Sequence, residues 1–188
     1  MPIVTLPLLA GWILLANHTH TQASPDSTLR VADLDALAKD KGVQAVVITD
    51  HDNVRAVLDP AFHASSSVRF IEGEEWGNIL DRNFVGHVGL IGLKGDFDVE
   101  SSLPVEEALS QAKSRGALAV INHPFNWLLA RRGKDIPRDA GGVEVWNQAW
   151  NDLTMRNDQA LKWWDAGLRG GRRLVAVGGA DVHGIRIW

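Results

Sequence analysis

The sequence predicts an α/β fold built on a mostly parallel sheet that can close into a barrel. Two observations support this prediction. Short apolar runs alternate with amphipathic segments of helical period, and polar motifs that contain histidine follow several of those runs. Strands that alternate with helices pair in parallel through right-handed crossovers. The 188 residues are 45% hydrophobic and 22% charged, so we expect one domain over residues 1–188.

The first half of the chain predicts three strands and one helix. The apolar stretch 2–16 is too short to span a bilayer and follows no Lys or Arg, so its later half is expected to be a buried strand. A helix is predicted over 28–41 because its apolar residues recur on one face and Gly42 follows it. Further strands are expected at 43–49 and 68–71, with a mixed segment at 52–67.

The second half predicts strands at 84–93, 117–122, 142–147 and 173–178. A helix is predicted over 103–115, with Pro104 in its first turn and Gly116 directly after it. Another is predicted over 152–168, before Gly170. A basic loop is expected at 131–139.

Composition excludes several classes of function. A net charge of −4 does not favour nucleic-acid binding, so no nucleic-acid partner is expected. The chain has no cysteine, which excludes disulfides, zinc fingers and thiol catalysis. Walker, dinucleotide and serine-nucleophile motifs are also missing from the sequence. Water activated by a metal is then the most economical chemistry, with Zn, Mn or Fe held by His, Asp and Glu.

Five of the seven histidines follow a short apolar run directly or within a few residues. Carboxyl ends of parallel strands meet at one end of a barrel, where such folds place their chemistry. Imidazole is also the commonest metal ligand among side chains. The sequence therefore predicts one shared metal site for these histidines, which are His18, His20, His51, His123 and His183.

Two pairs strengthen this prediction. His18 and His20 lie two apart, so both side chains leave one face of a strand. Asp181 and His183 repeat that spacing near the other end of the sequence.

The acidic candidates leave alternatives open. Asp50 is expected to orient a ligand through a hydrogen bond, or else to end a strand as a turn residue. Asp26 is equally a turn former or a ligand. Of Glu72, Glu74 and Glu75, one carboxylate is expected to bridge two ions, but the spacing does not choose between the two faces of the strand.

Three further positions are less determined. His87 begins an apolar run, so it joins the site only if its strand enters from the active end or its loop folds over. Glu144 and Asn147 are interpreted as supporting or substrate-binding groups, or as polar groups at the edge of the packing. His63 follows no strand and is predicted to be outside the site.

The ordered motifs resemble those of the polymerase and histidinol phosphatase (PHP) superfamily, most closely its carbaryl-hydrolase-like (CehA/McbA) branch. The resemblance runs from Trp12 to Gly184. Its pieces are His18-Thr19-His20, Thr49-Asp50-His51, Gly73-Glu74-Glu75, Gly86-His87, Asn122-His123-Pro124, Glu144-Val145-Trp146-Asn147 and Asp181-Val182-His183.

The resemblance implies a distorted seven-stranded β/α barrel with two or three divalent metal ions. It assigns one ion to His18, His20, Asp181 and a bridging Glu75, a second to Glu75, His87 and His123, and a third to His51, His183 and Asp26. The segment between His20 and Asp26 is one residue longer than is usual. The sequence also ends soon after His183, where family members continue, so a barrel that lacks its last helix is expected.

The predicted function is a metal-dependent phosphoesterase in which a metal-bridging hydroxide attacks phosphorus in a small-molecule substrate. Asp26 or a water molecule not bound to metal would protonate the leaving group, and Arg131, Arg132 or Arg55 would hold the phosphate. Hydrolysis of a carbamate, ester or amide at the same site is the first alternative, and a PHP module that binds a partner without catalysis is the second. A cytoplasmic location is expected, with a secreted or periplasmic one as the alternative, and no membrane partner is expected.

Overall fold

The computed structural model describes residues 12–77, 86–94, 98–126, 137, 139–149 and 152–184. The elements of the first half, in order, are β1 (Leu15–Thr19), α1 (Val31–Lys41), β2 (Ala45–Ile48), β3 (Asp50–His51), α2 (Pro60–Ala64), β4 (Arg69–Ile71) and β5 (Gly73–Trp76). Those of the second half are β6 (Val88–Ile91), α3 (Val105–Ser114), β7 (Leu118–Ile121), β8 (Gly142–Asn147), α4 (Asp152–Met155), α5 (Asn157–Arg169) and β9 (Val175–Gly179).

The strands form two sheets, with the orders β1-β2-β4 and β3-β5-β6-β7-β8-β9. Only β6 runs against its two neighbours, while the other described pairs are parallel. The predicted α/β class with a mostly parallel sheet is confirmed.

Main-chain contacts also join the two sheets. The N–H groups of Ala180 and Asp181, just after β9, donate to the carbonyls of Asn17 and His18 in β1 at 2.9 and 2.7 Å. At the other edge, β2 continues almost directly into β3, and β4 into β5. A contact from the last strand back to the first is what a barrel requires, so these bonds favour the predicted closure.

Helices cover the two sheets with separate apolar clusters. Leu34 and Ala38 of α1 are buried against Val46 and Ile48 of β2. On the other sheet, α3 packs with β6 and β7 through Ala108, Leu109, Ala112, Val88, Leu90 and Ile121. The predicted end of α1 is confirmed, because Gly42 has φ 68° and its N–H donates to the carbonyls of Ala38 and Lys39.

Two predictions differ from the structure. The predicted helix 152–168 is interrupted at Arg156, whose φ of 52° is left-handed and separates α4 from α5. The later half of 2–16 was expected to be buried, yet Ile13 and Leu14 are 70% and 55% exposed and precede β1. An apolar run indicates a strand, but it does not reveal whether another element covers that strand. Among the described residues, no helix is both long and apolar enough to cross a membrane.

Burial of the α1 face provides a test of the fold. Leu34 is 0% exposed, so Leu34→Ala should lower the free energy of unfolding by about 2–5 kcal/mol. Leu161 in α5 is 51% exposed, and Leu161→Ala should change that free energy by less than about 0.5 kcal/mol. Urea denaturation of the two variants measures both values. Equal effects would contradict the packing of α1.

Candidate metal centre

Topology brings the predicted site residues to one place. The carboxyl ends of β1, β3, β5, β7 and β9 carry histidine and carboxylate side chains, as expected for parallel strands. Four groups of these side chains have ligand atoms within 4.8 Å of one another. The groups are His20, His51 and His183; His18, His123 and Asp181; His18, His20 and Glu75; and His51, Glu75 and His87.

The Glu75 carboxylate lies at the centre of this cluster and is buried. Asn122 Nδ2 donates to its Oε1 at 2.9 Å. Its two oxygens lie 3.0–3.4 Å from ring nitrogens of five histidines, which are His18, His20, His51, His87 and His123. One carboxylate therefore contacts five imidazoles from four separate segments of the chain.

Asp181 lies on the other side of the first histidine pair. Its Oδ1 is 3.4 Å from His18 Nε2, 3.5 Å from His20 Nε2 and 3.6 Å from His183 Nδ1. His18 and His20 thus lie between two carboxylates, which is the arrangement that the resemblance implied for its first ion.

Asp26 is at the open side of the cluster. Its side chain is 53% exposed, and Oδ2 lies 3.2 Å from His51 Nε2 and 3.3 Å from His183 Nε2. The longer segment after His20 therefore still brings Asp26 to the two histidines with which the resemblance grouped it. These two histidines are also the more exposed ones, at 21% and 25%.

His87 reaches the site because β6 is antiparallel to β5 and β7. The start of an antiparallel strand lies at the same end as the finish of its parallel neighbours. His87 Nδ1 is consequently 3.1 Å from Glu75 Oε1 and 3.3 Å from His123 Nε2. Of the two routes left open by the sequence, entry of the strand from the active end is the one observed.

The ring nitrogens fit a cation. His18 Nε2 and His20 Nε2 are buried, point toward carboxylate oxygens and have no hydrogen-bond partner. An unsatisfied buried polar atom costs about 1–3 kcal/mol, so such atoms call for a specific explanation. Neutral imidazole nitrogens beside two carboxylates are a donor set that Zn, Mn and Fe accept. The residues present therefore fit a divalent metal ion.

Burial and charge act in opposite directions on these groups. Burial lowers the pKa of His20 to about 4, which keeps this imidazole neutral. Burial would lower the pKa of His18 too, but the charges of Glu75, Asp181 and Glu144 outweigh it and raise that pKa well above its usual value. Burial would raise the pKa of Glu75, yet the neighbouring His18 and His87 hold it well below its usual range.

Asp50 supports the cluster from behind and is itself buried. Its carboxylate accepts from the Thr21 N–H at 2.6 Å, the Thr21 hydroxyl at 2.7 Å and the Ser24 hydroxyl at 2.9 Å. Ser24 Oγ is in turn 3.1 Å from His20 Nδ1 and accepts from the His51 N–H at 3.0 Å. Asp50 thus contacts His20 and His51 through Ser24, a residue that sequence reasoning missed because no motif marks it.

Backbone conformation is unusual at three members of the cluster. His18, His123 and Asp181 have φ values of 61°, 26° and 50°. Non-glycine residues with positive φ cost of order 1–3 kcal/mol each and gather at functional sites. The positive φ of His18 coincides with a register irregularity between Ala16 and Thr19 in the pairing of β1 with β2.

Other candidates are separated from the cluster. Glu74 faces away: both its carboxyl oxygens accept from the Val99 N–H, and burial raises its pKa to about 8. His63 is on α2, where its Nε2 contacts the Val57 carbonyl at 2.9 Å. Arg131 and Arg132 lie outside the described residues.

Asn147 and Glu144 contact the cluster directly. Asn147 Nδ2 donates to Glu144 Oε2 at 2.9 Å and to Asp181 Oδ2 at 3.1 Å. A substrate role for Asn147 stays a prediction, since its amide nitrogen is occupied by these two carboxylates. Glu144 is more central than the sequence indicated, because its carboxylate also contacts His18 and His123.

Comparison with solved structures shows the same fold at low sequence identity. A two-domain protein from Bacteroides vulgatus that contains a predicted PHP-like metal-dependent phosphoesterase superposes with a TM-score of 0.66 and 20% identity. That match covers 91% of this chain but only 52% of the other, so this chain spans about half its length. A predicted metal-dependent phosphoesterase from Bifidobacterium adolescentis gives 0.67 and 16%, with coverage of 93% and 89%.

A third structure is an amidohydrolase from Chromobacterium violaceum with bound sulfate and no metal. It gives a TM-score of 0.67 at 16% identity, with coverage of 90% of this chain and 87% of the other.

Comparison of sequences identifies the family more specifically than comparison of folds does. An uncharacterized protein of Methanocaldococcus jannaschii is 30% identical over 152 residues, which covers 74% of this chain and 85% of the relative. The model of the PHP domain matches residues 17–75, a range that contains the His18 and His20 pair, His51 and Glu75. From this match and that relative, the chain belongs to the PHP domain family.

Proposed function

We propose that this protein is a metal-dependent hydrolase that cleaves a small-molecule phosphoester with two or three divalent ions, of Zn, Mn or Fe. The observation that carries the proposal is the buried Glu75 carboxylate in contact with five imidazoles. Such a carboxylate can be shared between ions, which imidazole cannot do as well. The ions would supply an activated water at neutral pH and neutralise charge on the phosphoryl oxygens.

Three sets of residues would hold the ions. His18, His20 and Asp181 would share one ion with Glu75. His87 and His123 would hold a second with the same glutamate, since both rings contact Glu75 Oε1 at 3.1 Å. Asp26, His51 and His183 would hold a third ion at the open side, where Asp26 Oδ2 contacts both imidazoles.

The cluster is exposed to solvent on one side, and this side is where a substrate would approach. His18, His20, His123 and Glu75 are buried, whereas the side chains of Asp26, His51 and His183 reach solvent. A phosphoester would enter on the exposed side, with its leaving group close to Asp26. In a site with two ions, Asp26 would be free to give a proton to the departing oxygen, whereas as a ligand of a third ion it would leave that step to a water molecule.

Phosphoester hydrolysis is supported by two similar structures, one of which contains a predicted metal-dependent phosphoesterase and the other of which is one. Sulfate bound to the Chromobacterium violaceum structure is an anion of the same shape as phosphate. Arg131 and Arg132 remain candidates for holding the phosphate, as does the exposed Arg55 at the start of a 3₁₀ turn. Membership in the carbaryl-hydrolase-like branch stays a prediction.

Metal content tests the site before any substrate is known. Purified protein should carry about one or more equivalents of a divalent ion, because neutral imidazoles and carboxylates bind such ions tightly. His18→Ala combined with His20→Ala should remove the metal, since both unpartnered Nε2 atoms are lost. His63→Ala is the matched control and should keep the metal content of the wild type. Elemental analysis measures all three, and a double variant with full metal content would refute the assignment.

Phosphoester turnover tests the reaction. Metal-loaded protein should hydrolyse an aryl phosphate, lose that activity after treatment with a chelator, and regain it when Zn²⁺ or Mn²⁺ is restored. An aryl carbamate with the same leaving group serves as the comparison substrate. A metal-replete preparation that cleaves only the carbamate, or neither compound, would rule out the phosphoesterase.

Asp26 can be tested through the leaving group. Asp26→Asn should lower kcat about 10²–10⁴-fold for an alkyl phosphate, whose leaving oxygen needs a proton, and much less for a nitrophenyl phosphate. Asp40→Asn is the control, because the Asp40 carboxylate is exposed and pairs only with Lys41 among the described contacts. Equal losses on both substrates would count against proton donation by Asp26, and metal analysis of the variant would show whether Asp26 acts as a ligand instead.

A further inference from the structure

Glu144 has a buried carboxylate that contacts two members of the cluster directly and a third, Asp181, through Asn147. His18 Nδ1 lies 2.9 Å from its Oε1. Its Oε2 accepts from the His123 main-chain N–H at 2.7 Å and from Asn147 Nδ2 at 2.9 Å. Asn147 Nδ2 also donates to Asp181 Oδ2 at 3.1 Å. One carboxylate thus connects the ends of β1, β7, β8 and β9.

The contact between Glu144 and His18 determines the tautomer of His18, and therefore which ring nitrogen carries the lone pair. Oε2 accepts two N–H groups, and an ionised carboxylate has no proton to donate, so His18 Nδ1 must be the donor to Oε1. In the neutral form of His18 that can bind a metal, a proton on Nδ1 leaves the lone pair on Nε2, the atom that lies between Glu75 and Asp181. A carboxylate behind a histidine ligand fixes the tautomer and the ring orientation in this way.

Gly179 leaves the space that this carboxylate fills. A Cβ at Gly179 would lie 2.5 Å from Glu144 Cδ and would overlap with Oε1. At the neighbouring Gly178, a Cβ would meet only the Trp146 carbonyl oxygen at 3.9 Å, which is an ordinary contact. A methyl group added at Gly179 would therefore displace the Glu144 carboxylate, whereas one added at Gly178 would not.

We propose that Glu144 is a positioning residue that sets the tautomer of His18 and holds the His123 backbone for metal binding, and that Gly179 makes room for it. The proposal rests on the metal site of the proposed function, but it does not depend on which substrate is cleaved. Of the roles that the sequence left open for Glu144, its contacts with His18 and His123 favour the supporting one.

Glu144→Gln tests the tautomer without a change of shape. If the amide oxygen accepts from His123 and Asn147, the amide NH₂ faces His18 Nδ1, and the ring must carry its proton on Nε2. If the amide is turned round, its NH₂ faces two other donors. Either arrangement disfavours ligation, so Zn²⁺ affinity measured against a competing chelator should fall roughly 10–100-fold.

Gly179→Ala tests the same contact without a change of charge. It should weaken Zn²⁺ binding by a similar factor, while Gly178→Ala should leave it within about twofold. In a Glu144→Ala background the obstructed carboxylate is gone, so adding Gly179→Ala should cost little more. That non-additivity would not arise if both residues merely stabilised β9. Circular dichroism and melting of the metal-free proteins verify that each variant is folded.

The outcomes separate this proposal from the proposed function. Wild-type affinity in folded Glu144→Gln, or equal effects of Gly178→Ala and Gly179→Ala, would overturn the role of Glu144 even in an active phosphoesterase. If Glu144→Gln does not fold, the two glycine variants decide alone. A wild-type protein that binds Zn²⁺ but cleaves no phosphoester would overturn the phosphoesterase, while the loss of affinity in these variants would still support the positioning role.

Discussion

The contact between the Glu75 carboxylate and the surrounding imidazoles is the interaction on which the site depends. Taking a carboxylate out of water costs several kcal/mol unless charges or hydrogen bonds compensate. Glu75 is fully buried in β5, and its compensation comes from Asn122 and from five histidines of four segments. Each segment must therefore reach the same point, which ties the ends of the strands to one another. The burial of polar side chains around Glu75 follows from this need for compensation.

Backbone geometry at the cluster reflects the same requirement. His18 and Asp181 have left-handed conformations where β1 and the end of β9 meet, and the Asp181 N–H donates to the His18 carbonyl at 2.7 Å. Strain of this kind persists only where neighbouring contacts determine the conformation. The hydrogen bonds between the first and last strands supply those contacts. The junction that favours closure of the sheet is therefore also the junction that orients two members of the cluster.

Sequence patterns could predict the meeting of five histidines because each of the five follows a strand, and parallel strands end together. They could not choose Glu75 over Glu74. β4 ends at Ile71 and β5 starts at Gly73, so the inward and outward faces of β4 cannot be carried over to the residues of β5. The position of His87 depended on β6 being antiparallel, which is a property of long-range pairing and not of the local residues. The break at Arg156 within the predicted last helix was likewise invisible to the apolar periodicity.

The cluster is asymmetric, and the asymmetry bears on its chemistry. On the buried side, Glu144 and Asp50 hold His18 and His20 from behind, the first directly and the second through Ser24. Side chains fixed in this way keep their geometry through a reaction, which is what electrostatic stabilisation of a transition state needs. On the open side, Asp26 is half exposed and shares a boundary with solvent. Under the proposed function, the buried ligands would hold the ions on one side, while the accessible Asp26 carboxylate would exchange protons with water on the other.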